Sequence, residues 1–232
     1  MAKTYIFPDI HGCAKTIRYL LEEVVVPSRE DKLIFLGDYI DRGPNSADVI
    51  KLLLSLIDSG YQVIALRGNH EQMLLDSLCD HYAYTIWKLN SAHNTIGSYG
   101  GNIEETTYQE VASLIPPSHL QLLQKMPILY RQSSNLWCVH GCIHFPIEEK
   151  SLQQYLWLRP WECADSISEG VTVIHGHTPI PLKEVERQVA LWGRLVNIDA
   201  GCVYAGIQEG LGNLVSLRLD DRKLFYTRNL DR

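Results

Sequence analysis

The chain is 232 residues long, 46% apolar and 21% charged, enough to sustain a buried core without disulfides. Its net charge of -6, from 21 basic and 27 acidic residues, argues against a nucleic-acid partner, because such binders usually carry a basic stripe. No apolar run approaches the roughly 20 residues that cross a bilayer, so no membrane partner is expected, and with no Pro/Gly/Ser-rich linker residues 1–232 read as one domain.

In chain order, Thr4–Phe7 is a short β-prone run that leads into Asp9. Ala14–Val25 then places Ile17, Leu20, Leu21 and Val24 at helical spacing. A second apolar strand, Leu33–Leu36, is followed by Asp38, and a helix over Ser46–Ile57 is capped by Asn45 or Ser46 and closed by Gly60. A third strand, Val63–Leu66, runs into Arg67-Gly68-Asn69-His70. This strand-helix-strand-helix-strand order predicts an α/β sheet with covering helices.

From Glu71 to about Gln124 the pattern is mostly helical, with a polar, Gly-containing break around Asn90–Asn102. Strands are then predicted at Ile128–Arg131, Leu136–His140, Val171–His175, Leu195–Asp199, Leu214–Leu219 and Leu224–Thr227, with a hairpin turn at Asp220-Asp221. Of the six cysteines, Cys13, Cys79, Cys138, Cys142, Cys163 and Cys202, none forms a CxxC pair. The N-terminus lacks the long apolar core of a signal peptide, so reduced thiols in a cytoplasmic protein are expected.

Asp, Asn and His residues recur just past the strands. Asp9 and His11 follow the first, Asp38 the second, and Asn69, His70 and Glu71 the third. His140 ends the strand at Leu136, and His175-Gly176-His177 ends the strand at Val171. Ligands of open α/β sheets bind outside the carboxyl ends of strands. Carboxylate, amide and imidazole donors suit Mn, Fe or Zn, not a thiolate-selective site. Two such ions about 3.5–4 Å apart can share a bridging carboxylate and hydroxide.

The motifs Asp9-Ile10-His11-Gly12, Gly37-Asp38-Tyr39-Ile40-Asp41-Arg42-Gly43 and Gly68-Asn69-His70-Glu71 resemble those of the PPP-type metallophosphatases. Val139-His140-Gly141 and Gly176-His177-Thr178 continue the series, so the resemblance spans about residues 5 to 210. It implies a calcineurin-like metallophosphoesterase fold, α/β, with a central β-sandwich flanked by helices. It also implies one divalent ion on Asp9, His11 and Asp38, and a second on Asp38, Asn69, His140 and His177. Manganese is the expected ion, with iron and zinc as alternatives. His177 is chosen over His175 because the family's ligand follows the glycine.

A general acid beside such ions would protonate the leaving alkoxide. His70 stands next to a presumed ligand, and Asp41 is its natural partner to orient the imidazole and favour its charged form. The family pattern assigns them these roles. Arginine forks suit the charge on a phosphoryl group. Arg42 lies inside the second motif, and Arg159, in Leu156-Trp157-Leu158-Arg159, resembles the W-x-R segment of the compact bacterial members. The C-x5-R loop, the G-x-x-x-x-G-K-[ST] loop, the G-x-S-x-G elbow and the H-E-x-x-H helix are all absent.

The chain resembles the compact bacterial serine/threonine phosphatases, which implies a phosphorylated protein or peptide as substrate. A symmetrical diadenosine tetraphosphate hydrolase shares the metal motifs. A catalytically silent phosphopeptide-binding module is the third reading, disfavoured because every ligand, the acid and its orienter are present. Asn94–Gly100 is read as a cap over the site or as a plain surface turn. Oligomeric state has no signature in the sequence.

Overall fold

A computed structural model describes residues 2–232, apart from the side chain of Lys150. The first half builds most of one sheet and its helical cover. It runs β1 (Thr4–Phe7), α1 (Ala14–Tyr19), β2 (Lys32–Phe35), α2 (Ser46–Asp58) and β3 (Gln62–Ala65). Helices α3 (Asn69–Ser77), α4 (His81–Leu89), α5 (Ala92–Ser98), α6 (Tyr108–Leu114) and α7 (Pro117–Lys125) follow. The second half adds β4 (Leu129–Ser133), β5 (Leu136–Val139), α8 (Pro160–Cys163), β6 (Thr172–His175), α9 (Leu182–Leu191), β7 (Leu195–Asn197), β8 (Asn213–Arg218) and β9 (Lys223–Arg228).

The strands form a five-stranded sheet ordered β3-β2-β1-β8-β9 and a four-stranded sheet ordered β4-β5-β6-β7. β1, β2 and β3 are parallel, as are β5, β6 and β7. The period-2 alternation of side chains assigns each strand's two faces to different cores. Ile6, Ile34, Val215 and Leu217 of the first sheet meet Cys138, Ile174 and Val196 of the second, which makes the sandwich interior. Tyr5, Phe7, Leu33 and Phe35 point the other way, against Ile17 of α1, Val49 and Leu53 of α2, Leu74 of α3 and Trp87 of α4. Val139 and Val173 pack outward on Ile143, Tyr155 and Ile167.

The strands predicted from apolar runs all form, with every end within two residues of expectation. Three expectations change. The helix expected over Ala14–Val25 stays α-helical only to Tyr19 and continues as a π-helical segment, Leu20–Val25. The polar break at Asn90–Asn102 contains α5, whose Ala92, Thr95 and Ile96 are buried at helical spacing. Cys142 and Cys163 are not free thiols but a disulfide, their Cα atoms 6.4 Å apart, within the ordinary span of such a bond. Asn45 is the N-cap of α2 but makes no side-chain cap bond; Ser46 Oγ instead accepts the Asp41 N–H at 3.0 Å. Among the described residues, no helix is long and apolar enough to cross a membrane.

Candidate metal centre

The predicted ligands follow β1, β2, β3, β5 and β6, and the turns that carry them are unusual. His11, Asp38, Asp41, Arg42 and His177 all have positive φ, between 46° and 66°. A side-chain-bearing residue there costs about 1 kcal/mol or more, so the surrounding bonds must hold it. Ile10 and His11 donate their N–H groups to the Asp38 carbonyl at 3.0 and 2.8 Å, and Gly12 donates to Tyr39 at 2.8 Å. The wholly buried Glu71 carboxylate accepts from the N–H groups of Asp38, Tyr39, Ile40 and Gly68 at 2.8–3.3 Å. Burial pushes its carboxyl up to about 7, against the pull of the Gly68 and Tyr39 N–H groups, which favour the ionised form. Gly68 has a steric reason: a Cβ there would collide with the carboxylate and backbone of Asp38.

Asp38 is the hub. Its Oδ2 lies 3.4 Å from His11 Nε2, 3.3 Å from His140 Nε2 and 4.0 Å from His70 Nε2. His140 Nε2 is 3.0 Å from Asn69 Oδ1 and 3.1 Å from His177 Nδ1. Two clusters of potential ligand atoms result, His11/Asp38/His70 and Asp38/His140/His177, and they share Asp38. Asp9 accepts the His177 N–H at 3.1 and 3.2 Å and lies 3.8 Å from His140 Nδ1, while His70 closes the first cluster. His175 points elsewhere, its Nδ1 3.1 Å from the Gly176 carbonyl.

The electrostatics are those of a cation site. Burial, with Asp199 next, raises the Asp9 carboxyl well above its ordinary value. Burial would lower His140, but the charges of Asp38 and Asp9 outweigh it and raise the ring to about 9. Burial lowers His177 to about 3, and burial with Arg42 holds His11 well below its usual range. The residues fit divalent ions: the donors are nitrogen and oxygen only, and His70 Nε2 and His140 Nδ1 are buried without a hydrogen-bond partner. Ions on Asp9, His11, Asp38, Asn69, His140 and His177 would supply Lewis acidity and a water nucleophile.

Around the clusters, His70 Nδ1 lies 2.7 Å from Asp41 Oδ2, and the Asp38 Oδ1 accepts the His70 backbone N–H at 3.1 Å. Arg42 reaches His11 Nε2, and its guanidinium lies over the Tyr204 ring, 5.8 Å from the centroid. Arg159 stands on the exposed rim, stacked on Trp161 at 5.6 Å, and its charge adds a small share to the burial and the His140 charge that lower His177. A Cβ at Gly141 would lie 2.5 Å from the Tyr155 carbonyl, so only glycine lets the segment before Arg159 pass so close to His140. Sequence reasoning brought all ten site residues to this end of the sandwich but overlooked Asp199, Trp87 and Thr95, and gave Glu71 no role. Asp199 is buried and raised to about 6 by that burial. Its only prior signal was a carboxylate ending another strand.

A β-sandwich carrying carboxylate, amide and imidazole donors at adjacent strand ends has the makings of a metal centre. Residues 2–214 match the calcineurin-like phosphoesterase family, and the chain belongs to it. A symmetrical bis(5'-nucleosyl)-tetraphosphatase of Coxiella burnetii is 40% identical over 72 residues, 31% of this chain and 23% of that protein. Serine/threonine-protein phosphatase 1 of Salmonella typhimurium is 37% identical over 86 residues, 37% of either chain. The matched stretches thus span well under half of these relatives. A crystal structure provisionally described as a diadenosine tetraphosphatase superposes with a TM-score of 0.66 at 19% identity, covering 100% of this chain and 95% of that one, a likeness of fold alone.

Proposed function

We propose that the chain is a two-metal phosphomonoesterase acting on phosphoserine and phosphothreonine in proteins, with manganese as its ion and residues 1–232 as one catalytic domain. The observation that carries the reading is the His70–Asp41 pair beside two ligand clusters that share Asp38. Asp41 holds Nδ1 of the ring, so Nε2 is the nitrogen left to protonate a leaving oxygen. Arg42 binds the phosphoryl oxygens from one side and Arg159 swings in from the rim on the other. A cytoplasmic setting belongs to this reading, and its reducing potential would open the Cys142–Cys163 bond.

The identity with the Coxiella tetraphosphatase favours a second reading, symmetrical hydrolysis of a dinucleoside tetraphosphate. A silent phosphopeptide-binding module is the weakest, since ligands, acid and orienter are all in place. The test is metal-stripped protein with and without Mn²⁺, given a phosphoserine peptide or diadenosine tetraphosphate. Mn²⁺-dependent phosphate release from the peptide supports the first reading. Nucleotide formation without peptide turnover replaces it with the second. Neither reaction, from protein shown to hold two ions, leaves the binding module.

A further inference from the structure

Asp41 does more than face His70, because its carboxylate is fully enclosed and has three donors. Its Oδ2 accepts from His70 Nδ1 at 2.7 Å and from Trp87 Nε1–H at 2.8 Å. Its Oδ1 accepts from Thr95 Oγ1–H. Thr95 Oγ1 in turn accepts the Asp41 backbone N–H at 2.9 Å and lies 3.0 Å from Ser46 Oγ. Since the Thr95 proton goes to Asp41, Ser46 is the donor in that last bond. Asp41, Trp87, Thr95 and Ser46 are all wholly buried.

A carboxylate with no exposure and φ of +66° has no water to fall back on. Which oxygen meets His70 therefore depends on what holds the other lone pairs. Trp87 comes from α4 and Thr95 from α5, elements that supply no member of either cluster. The geometry points to Trp87 and Thr95 as positioning residues: they fix the Asp41 carboxylate so that it meets His70 Nδ1 and leaves Nε2 facing the clusters. This rests on the reading of His70 as proton donor, but it makes a separate claim about which ring nitrogen is held. The segment Asn94–Gly100, most of which lies in α5, is on this account neither a cap nor a plain turn. It is the back wall of the proton donor.

The experiment is ¹⁵N NMR of the nine histidines in full-length protein with and without Mn²⁺, for Thr95→Val, Thr95→Ser and Trp87→Phe. His70→Asn identifies the His70 signal. The expected result is a protected Nδ1–H signal in wild type and Thr95→Ser. That signal should be broadened or lost in Thr95→Val and Trp87→Phe, with the ligand histidines unshifted. Kinetically, Thr95→Val and Trp87→Phe should lose at least about tenfold in kcat on a phosphoserine peptide and less than about threefold on p-nitrophenyl phosphate, whose leaving group needs no proton. A retained Nδ1–H signal in both variants overturns the inference. If His70→Asn itself shows no leaving-group dependence while the NMR changes occur, the proton-donor reading fails and the positioning stands. Should Thr95→Val not fold, Trp87→Phe, which keeps a ring in the core, carries the same test.

Discussion

Gly68 and Gly97 are both glycines in helical surroundings, and the structure predicts opposite outcomes for the same change to alanine. Gly68 precedes α3 with φ of -95° and ψ of 174°, angles any residue adopts, so backbone freedom does not demand glycine there. The demand is space: an added Cβ would sit 2.9 Å from Asp38 Cγ and closer still to its Oδ1 and backbone N. Ordinary contact is near 3.5 Å, so the Asp38 turn must move by more than half an ångström. Overpacking of this kind costs about 1–3 kcal/mol, and here it also loosens the bonds from Glu71 to the Asp38 and Gly68 N–H groups. At about 2–4 °C per kcal/mol for a chain of this size, Gly68→Ala should lower Tm by roughly 2–12 °C and weaken Mn²⁺ binding. Gly97 lies within α5 and a Cβ there meets nothing within 4 Å. Alanine at that position should gain up to about 1 kcal/mol of helix propensity and raise Tm by about 2–4 °C. Thermal denaturation of metal-free protein and calorimetric Mn²⁺ titration decide the matter. A Gly68→Ala protein within 2 °C of wild type on that scale, with its metal affinity unchanged, would refute the claim that this contact fixes the hub.

Further outcomes follow from the same geometry. His70→Asn should retain two bound Mn²⁺ while losing about a hundredfold in turnover of poor leaving groups; loss of one ion by elemental analysis would instead make His70 a ligand. Arg42→Ala should cut kcat/KM for phosphopeptide by about 10–150-fold, the worth of one charged hydrogen bond, with the metal content unchanged. For metal-free protein, the folded His140 sits near 9 against an unfolded value near 6.5. Its stabilisation is therefore complete below about pH 6.5 and lost as pH rises toward 9, at most about 3 kcal/mol. Melts across that range should show Tm falling in metal-free protein and much less in the Mn²⁺ form, where an ion takes the proton's place; an unchanged metal-free Tm would contradict the raised value.

What could be read before the structure was known depended on distance along the chain. An apolar run of four followed within three residues by Asp or His is a local pattern, and it located β1 with Asp9 and His11, β2 with Asp38, and β5 with His140. The local pattern gave an α/β sheet with covering helices and the resemblance implied the sandwich; the structure then shows Tyr5 and Phe7 in the helix-facing core and Ile6 in the sandwich interior. The bonds that hold the site run between residues far apart. Trp87 meets Asp41 across 46 positions and Thr95 across 54, and neither residue type signals such a partner. The positive φ of His11, Asp38 and His177 was equally silent, since these residues seldom adopt it and nothing local forces them to. Glu71 shows the boundary: it stood in a recognised motif, yet its work is to bind backbone N–H groups about thirty residues earlier, which no motif states. The expected ligands were thus a property of short segments, whereas the turns at Asp38 and Asp41 are held by α3, α4 and α5. It follows that substitutions in these helices should change the orientation of the site while leaving its ligand atoms in place, as the Thr95 and Trp87 variants are designed to reveal.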